Sequence, residues 1–254
     1  MQLSLTTFLI VCPMVFLAGF VDAIGGGGGL ISLPAYLIAG VPAHVAVGTN
    51  KFSSATGTLF STARFIKNGH ADFGLGIPGI LAALIGSQIG ARIALIVSDV
   101  VFKRLMLVLL PVIAFYVLMR KDLEPDMSVP VPRKKQLLIV IIATFLIGLY
   151  DGFYGPGTGT FLILVYTGLA KMDVLTSAGN TKLANLTSNI SSLVVFLMNG
   201  VVLLPLGAAA AVFSIAGHYM GAGIAMKNGS RFVRIVILLV IGLLFVKVIS
   251  DALL

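Results

Sequence analysis

Five consecutive glycines, Gly25 to Gly29, stand between two strongly apolar runs. Glycine leaves the backbone free and offers no side chain to pack, so such a stretch breaks any helix that reaches it. Hydrocarbon does not tolerate the bare backbone that results. Two arrangements satisfy those amides. One is a helix broken inside a bilayer, its freed N–H groups lining a cavity and facing a bound anion. The other is a flexible turn between two membrane helices at the water interface. A second version of the stretch, Gly155-Pro156-Gly157-Thr158-Gly159, occurs later in the chain and favours the broken helix.

The surroundings of these stretches define the class. Of 254 residues, 58% are hydrophobic and only 10% charged, and the mean hydropathy is +1.09, outside the range of soluble domains. An all-α, multi-pass membrane protein is expected, with lipid as its surroundings. The net charge of +8 would point to nucleic acid in a soluble protein. Here the lysines and arginines cluster in short loops between apolar segments, which is the positive-inside pattern, so no nucleic-acid partner is expected. The single Cys12 excludes an internal disulfide and a cysteine metal cluster; no metal and no cofactor are expected. The first apolar run lacks a basic leader and continues to Asp22, past the length of a signal h-region, so it reads as a retained membrane segment.

Measured against the roughly 20 residues that span a bilayer, the chain holds eight to ten segments, of which 30–39 and 160–170 are short. A hydrophilic linker, 120–135, divides a first repeat, 1–119, from a second, 136–254. At an offset of 131 residues Lys51 falls on Lys182, Thr56 on Thr187, Ser61 on Ser192, Asn68-Gly69 on Asn199-Gly200, Gly86 on Gly217 and Gly90 on Gly221. At an offset of 129, Gly19 falls on Gly148 and Asp22 on Asp151. Two homologous repeats are therefore expected.

Loop charges orient them. With five crossings per repeat the topology is inverted and both termini lie outside. The inside loops then hold Arg64, Lys67, Arg120, Lys121, Arg133, Lys134, Lys135, Lys227, Arg231 and Arg234, against Lys103, Arg104 and Lys171 outside. With four crossings, as when the short segments re-enter, the bias nearly vanishes.

Lys51 and Lys182 sit at the same place in the two repeats, inside apolar segments. A basic side chain at membrane depth costs roughly 2.5 to 3.5 kcal/mol on insertion scales, so each needs an interior partner unless it snorkels to the headgroups. Thr49 and Asn50 precede Lys51, and Asn180 and Thr181 precede Lys182, supplying amides and hydroxyls. Together with Gly26, Gly27, Gly28, Gly155, Gly157 and Gly159 they form the candidate substrate-binding set, a ring of donors for an oxyanion. Asp22 and Asp151, each just before a glycine break, are salt-bridge partners of the lysines, proton or sodium carriers, or helix caps.

Other motifs weigh less. Gly86/Gly90 and Gly217/Gly221 are small-xxx-small patterns that pack helices within the protomer or across a homodimer. Gln88 and His218 lie on those segments, where an interhelical hydrogen bond is the ordinary role and a cavity position the alternative. The sequons at Asn185 and Asn189 fall inside an apolar segment and are not glycosylation sites. Tyr150-Asp151 is similar to the tyrosine-aspartate pair of intramembrane aspartyl proteases, but the companion Gly-x-Gly-Asp is absent, as are other catalytic motifs, and no enzyme is expected. No Gly-Lys-Ser/Thr follows either glycine run, so ATP hydrolysis is not expected.

The glycine run with Pro34, Gly48-Thr-Asn-Lys51, Asn68-Gly69, the stretch Asp151 to Gly159 and Asn180-Thr-Lys182 resemble, in order and over nearly the whole chain, the TauE/SafE sulfite exporter family. The resemblance implies a bacterial-type inner-membrane carrier of sulfite or organosulfonates such as sulfoacetate. The competing expectation is a cation-coupled or cation-transporting protein centred on Asp22 and Asp151. A channel or scaffold has no feature in its favour.

Overall fold

The computed structural model describes residues 3–98 and 131–253. The expected segment 101–119, most of the linker, and Lys103, Arg104, Arg120 and Lys121 lie outside the described residues. All regular elements among the described residues are helices: α1 Leu5–Gly25, α2 Gly29–Ile38, α3 Ala43–Lys67, α4 Phe73–Ile96, α5 Arg133–Phe153, α6 Thr158–Gly168, α7 Val174–Met198 and α8 Leu204–Leu253. The last is broken at Gly229, where φ is 71°. Among the described residues, four spans are long and apolar enough to cross a membrane: α1, α4, α5 and Leu204–Gly229. The polar α3 and α7, each of 25 residues, start at Ala43 and Val174, the 131-residue offset seen in the sequence.

The two short helices fold back. Beside α1, Gly28 lies against Ala18 and Asp22, while Tyr36 packs in one cluster with Val11 and Val15. Beside α5, Thr158 bonds Asp151, Tyr166 bonds Thr144 at 2.5 Å, and Gln136 Nε2 donates to the Ala170 carbonyl at 2.8 Å. Each pair is an antiparallel hairpin whose second helix returns towards the end where the first began. About ten residues climb only some 15 Å, so neither short helix spans a bilayer by itself.

Contacts between element ends sort the helices onto two faces. On one face the guanidinium of Arg133, opening α5, bonds both carboxylate oxygens of Asp72, the N-cap of α4, at 2.7 Å. Those bonds hold the Asp72 carboxyl below the usual carboxylate range. On the other face His44, opening α3, bonds the Ala94 carbonyl near the end of α4 at 2.9 Å. Arg64 reaches the Tyr219 carbonyl of α8 at 2.7 Å, which puts Lys227 on the Arg133 side. Lys171 follows α6 and lies on that side too, because α6 folds back. The loop count made from the sequence placed it opposite Arg133 and is corrected here.

Glycines set how closely the helices approach. A Cβ on Gly86 or Gly90 of α4 would lie 2.3 and 2.0 Å from the carbonyls of Phe145 and Leu149 on α5. On Gly217 or Gly221 of α8 it would lie 2.2 and 2.3 Å from those of Phe16 and Phe20 on α1. The small-xxx-small patterns thus pack helices within the chain, each joining one half to the other.

Candidate functional site

Both glycine breaks are real interruptions, and they touch. Gly26 and Gly27 have φ of 79° and 85°, and Gly155 and Gly157 have 100° and 82°, a region that strains any residue with a side chain. A Cβ on Gly26 would fall 2.2 Å from the Thr160 nitrogen and 2.5 Å from the Gly159 carbonyl carbon. Thr160 Oγ1 donates to the Gly25 carbonyl at 2.8 Å. The two breaks are therefore packed back to back in the interior, and each fixes where the other's following helix begins.

Two buried ion pairs flank this crossing, and each joins a lysine of one half to the aspartate of the other. Lys51 Nζ on α3 donates to Asp151 Oδ2 at 2.8 Å and to Asn189 Oδ1 at 3.1 Å. Lys182 Nζ on α7 donates to Asp22 Oδ2 at 2.9 Å and also to the Asp22 carbonyl. Neither lysine snorkels; Lys51 is 2% and Lys182 0% exposed. The carboxylates are satisfied further: Asp151 accepts from Thr158 Oγ1 at 2.8 Å and from Ser188, and Asp22 Oδ1 accepts from the Gly28 amide at 3.2 Å. Such full pairing is what allows charges to be buried at all. Each aspartate ties the helix before a break to the segment that opens the next helix.

Between the pairs lies a cavity with about 480 Å³ of space between atoms, part of it open to the outside. Its wall includes Lys51, Asp151, Asp22, His218, Asn50, Asn185 and Asn189, the hydroxyl-bearing Ser32, Ser54, Ser214, Thr158 and Tyr154, the glycines Gly28, Gly29, Gly155 and Gly159, and the apolar Val15 and Ala18. The N-terminal turns of α2 and α6 both border it and bring the partial positive charge of helix starts, while the Gly28, Leu30, Ile31 and Thr158 amides are already bonded to Asp22, Gly27, Gly28 and Gly155. Asn50 Oδ1 is buried with no hydrogen-bond partner among the described residues. With both pairs charged, the lysines and aspartates sum to zero, so helix ends and neutral dipoles set the local field.

Of the residues singled out in the sequence, Lys51, Asn50, Gly28, Gly155, Gly159, Asp22 and Asp151 meet at the cavity. Lys182 stands behind Asp22 and reaches the wall through it. Gly26, Gly27 and Gly157 shape the breaks. Thr49 and Asn180 do another job: Thr49 Oγ1 accepts from the Leu203 amide at 3.0 Å, and Asn180 Oδ1 from the Asp72 amide at 2.9 Å, bracing the starts of α8 and α4. The Thr181 hydroxyl is buried without a partner among the described residues.

Asn185 and Asn189, dismissed as sequons, belong to the wall, and their signal was present: with Lys182 they recur at helical spacing on one face of α7. His218 also lines the cavity while bonding Ser61 at 3.1 Å, so it holds both of the roles weighed for it.

A helical membrane protein whose broken helices and buried ion pairs enclose a polar interior cavity is built as a membrane transporter. Sequence comparison agrees and gives the family: the description "Sulfite exporter TauE/SafE" matches residues 11–248, and the chain belongs to that family. It is 35% identical over 249 residues, 97% of this chain and 93% of the relative, to the probable membrane transporter protein ORF9 of a Sinorhizobium species. Against the probable membrane transporter protein of Haemophilus influenzae it is 30% identical, over 99% of this chain and 98% of the other. Against YfcA of Escherichia coli K12, also named a probable membrane transporter protein, it is 31% identical over 94% of this chain and 88% of the other. No solved structure matches the chain. The family and these relatives all carry the names of membrane transporters.

Proposed function

We propose that the protein is a secondary carrier that moves a small sulfur oxyanion, sulfite or a short organosulfonate such as sulfoacetate, across the bacterial inner membrane through this cavity. One observation carries the reading: the N-terminal ends of α2 and α6 border the same cavity as Lys51, so two positive helix ends, an ammonium and amide- and hydroxyl-bearing side chains surround one small space. Among the described residues Tyr154 is the one tyrosine, phenylalanine or tryptophan lining the cavity, too little for an aromatic cage around a large apolar ligand, and the sequence has no tryptophan. The family's printed name supports the sulfur oxyanion. A cation centred on Asp22 and Asp151 is favoured less, because lysines occupy both carboxylates.

Vesicles carrying the protein should take up radiolabelled sulfite or sulfoacetate, and substitution of Lys51 should abolish that flux. Absence of flux for every sulfur oxyanion, together with a proton- or sodium-gradient-driven cation flux that needs Asp22 and Asp151, would overturn the proposal.

The hairpins also support the inverted reading of two duplicated units, 1–119 and 136–254. Because α1 with α2, and α5 with α6, each enter and return on one side, re-entry removes two crossings from a unit rather than one. The number stays odd. The face of Arg64, Lys67, Arg133, Lys134, Lys135, Lys171 and Lys227 is then cytoplasmic and both termini are outside. Reporter fusions at Leu254 and near Met127 should report outside and inside respectively; a cytoplasmic carboxyl terminus would refute this orientation.

A further inference from the structure

We propose that the carrier moves a proton together with each anion and that the imidazole of His218 holds it; this rests on the anion reading above. The argument starts from one hydroxyl. Ser61 Oγ lies 3.0 Å from the Thr58 carbonyl, which can only accept, and in the proposed arrangement it donates its single proton there and accepts from His218. With that proton turned to Thr58, His218 Nδ1, 3.1 Å from the hydroxyl oxygen, carries a hydrogen, and in the neutral ring Nε2 is left with a lone pair. That nitrogen faces Asp22 Oδ2 at 3.9 Å. A proton arriving from cavity water binds at Nε2, turning an uncharged acceptor beside a carboxylate into an imidazolium with a counter-charge in place.

The charged groups facing the ring are Asp22 from α1 and Lys182 from α7, with the Lys51–Asp151 pair across the cavity; α3 offers only Ser61 and the bare Gly57. With both pairs formed, the proton gives the site one net positive charge, which matches a monovalent sulfonate. It is also wired to the anion's position, because the other oxygen of Asp22 holds the Gly28 amide at the start of α2. Proton and anion each favour the binding of the other, and by linkage the effect is reciprocal. The first half has no equivalent: at the matching position Ser87 donates to the Leu84 carbonyl of its own helix. The proton site is thus single and belongs to the second half.

The test uses the full chain in nanodiscs and methanesulfonate, an anion that stays ionised through the neutral range, so that proton uptake belongs to the protein. Binding is measured by calorimetry in buffers of different ionisation enthalpy and repeated across pH. The wild type should take up close to one proton per anion bound, and its affinity should rise up to about tenfold per unit fall in pH. His218→Gln should lose the proton uptake and the pH dependence, and Ser61→Ala should keep the uptake with its pH midpoint moved. Wild-type binding without proton uptake, or uptake that survives His218→Gln, overturns the proposal and leaves the anion reading standing. Failure of the wild type to bind any sulfonate or sulfite overturns the anion reading, and this one with it.

Discussion

Replacing Lys51 by alanine should both destabilise the protein and stop transport, and adding Asp151→Asn should recover stability alone. The single change leaves the Asp151 carboxylate buried at 4% side-chain exposure with only hydroxyl partners. Removing one member of a buried pair typically costs about 3 to 5 kcal/mol, because the remaining charge is uncompensated, whereas neutralising both is far milder. The double variant should therefore return to near wild-type yield and thermal stability in detergent. It lacks the ammonium that faces the cavity, so anion flux in vesicles should stay absent. Flux restored along with stability would show that Lys51 serves the fold and not the anion. The Lys182 and Asp22 pair should behave alike for stability, since Lys182 is 0% exposed.

Gly179→Ala should be the most damaging substitution of one hydrogen by one methyl. A Cβ at this position would lie 1.6 Å from the carbonyl oxygen of His70, in the turn that leads into α4. The obstacle is backbone on both sides, so no rotamer change relieves it, and α7 must back away from the turn. Overpacking of this kind costs about 1 to 3 kcal/mol, and more where nothing can yield. Asn180, the next residue, holds the same turn through Asp72, so the displacement also breaks those hydrogen bonds. Gly48→Ala repeats the clash in the other half, 2.3 Å from the Val201 carbonyl. Gly242→Ala, which meets nothing within 4 Å and lies in a helix, is the control and should not destabilise, gaining up to about 1 kcal/mol of helix propensity instead. Thermal unfolding of the three variants in detergent checks the order; a Gly179→Ala protein as stable as Gly242→Ala would contradict the packing described for α7.

Much of this architecture is local information, and local information is what a sequence carries openly. Long apolar runs declare helices in lipid, and consecutive glycines declare where those helices break. A lysine amid apolar residues declares a partner, since an unpaired charge there is too costly to keep. The glycines at helical spacing declared close contacts but not with which helix. Asp22 and Asp151 were candidates from the sequence because each precedes a break.

Which charge meets which was decided by tertiary structure alone. Lys51 and Asp151 are 100 residues apart, and Lys182 and Asp22 are 160 apart. Nothing in either neighbourhood distinguishes the cross-pairing from pairing within a half; only the packing of α3 against α7 and the touching breaks at Gly26 and Gly159 select it. The same holds for Thr49 and Asn180. Their sequence context beside the lysines is that of anion donors, yet a helix turns neighbouring residues to different sides, and these two meet the backbone of Leu203 and Asp72 instead. His218 shows the reverse case. A single histidine on an apolar helix carries no sign of its surroundings, and its standing as a proton acceptor came from Ser61 and Asp22, on two other helices brought to it by the fold.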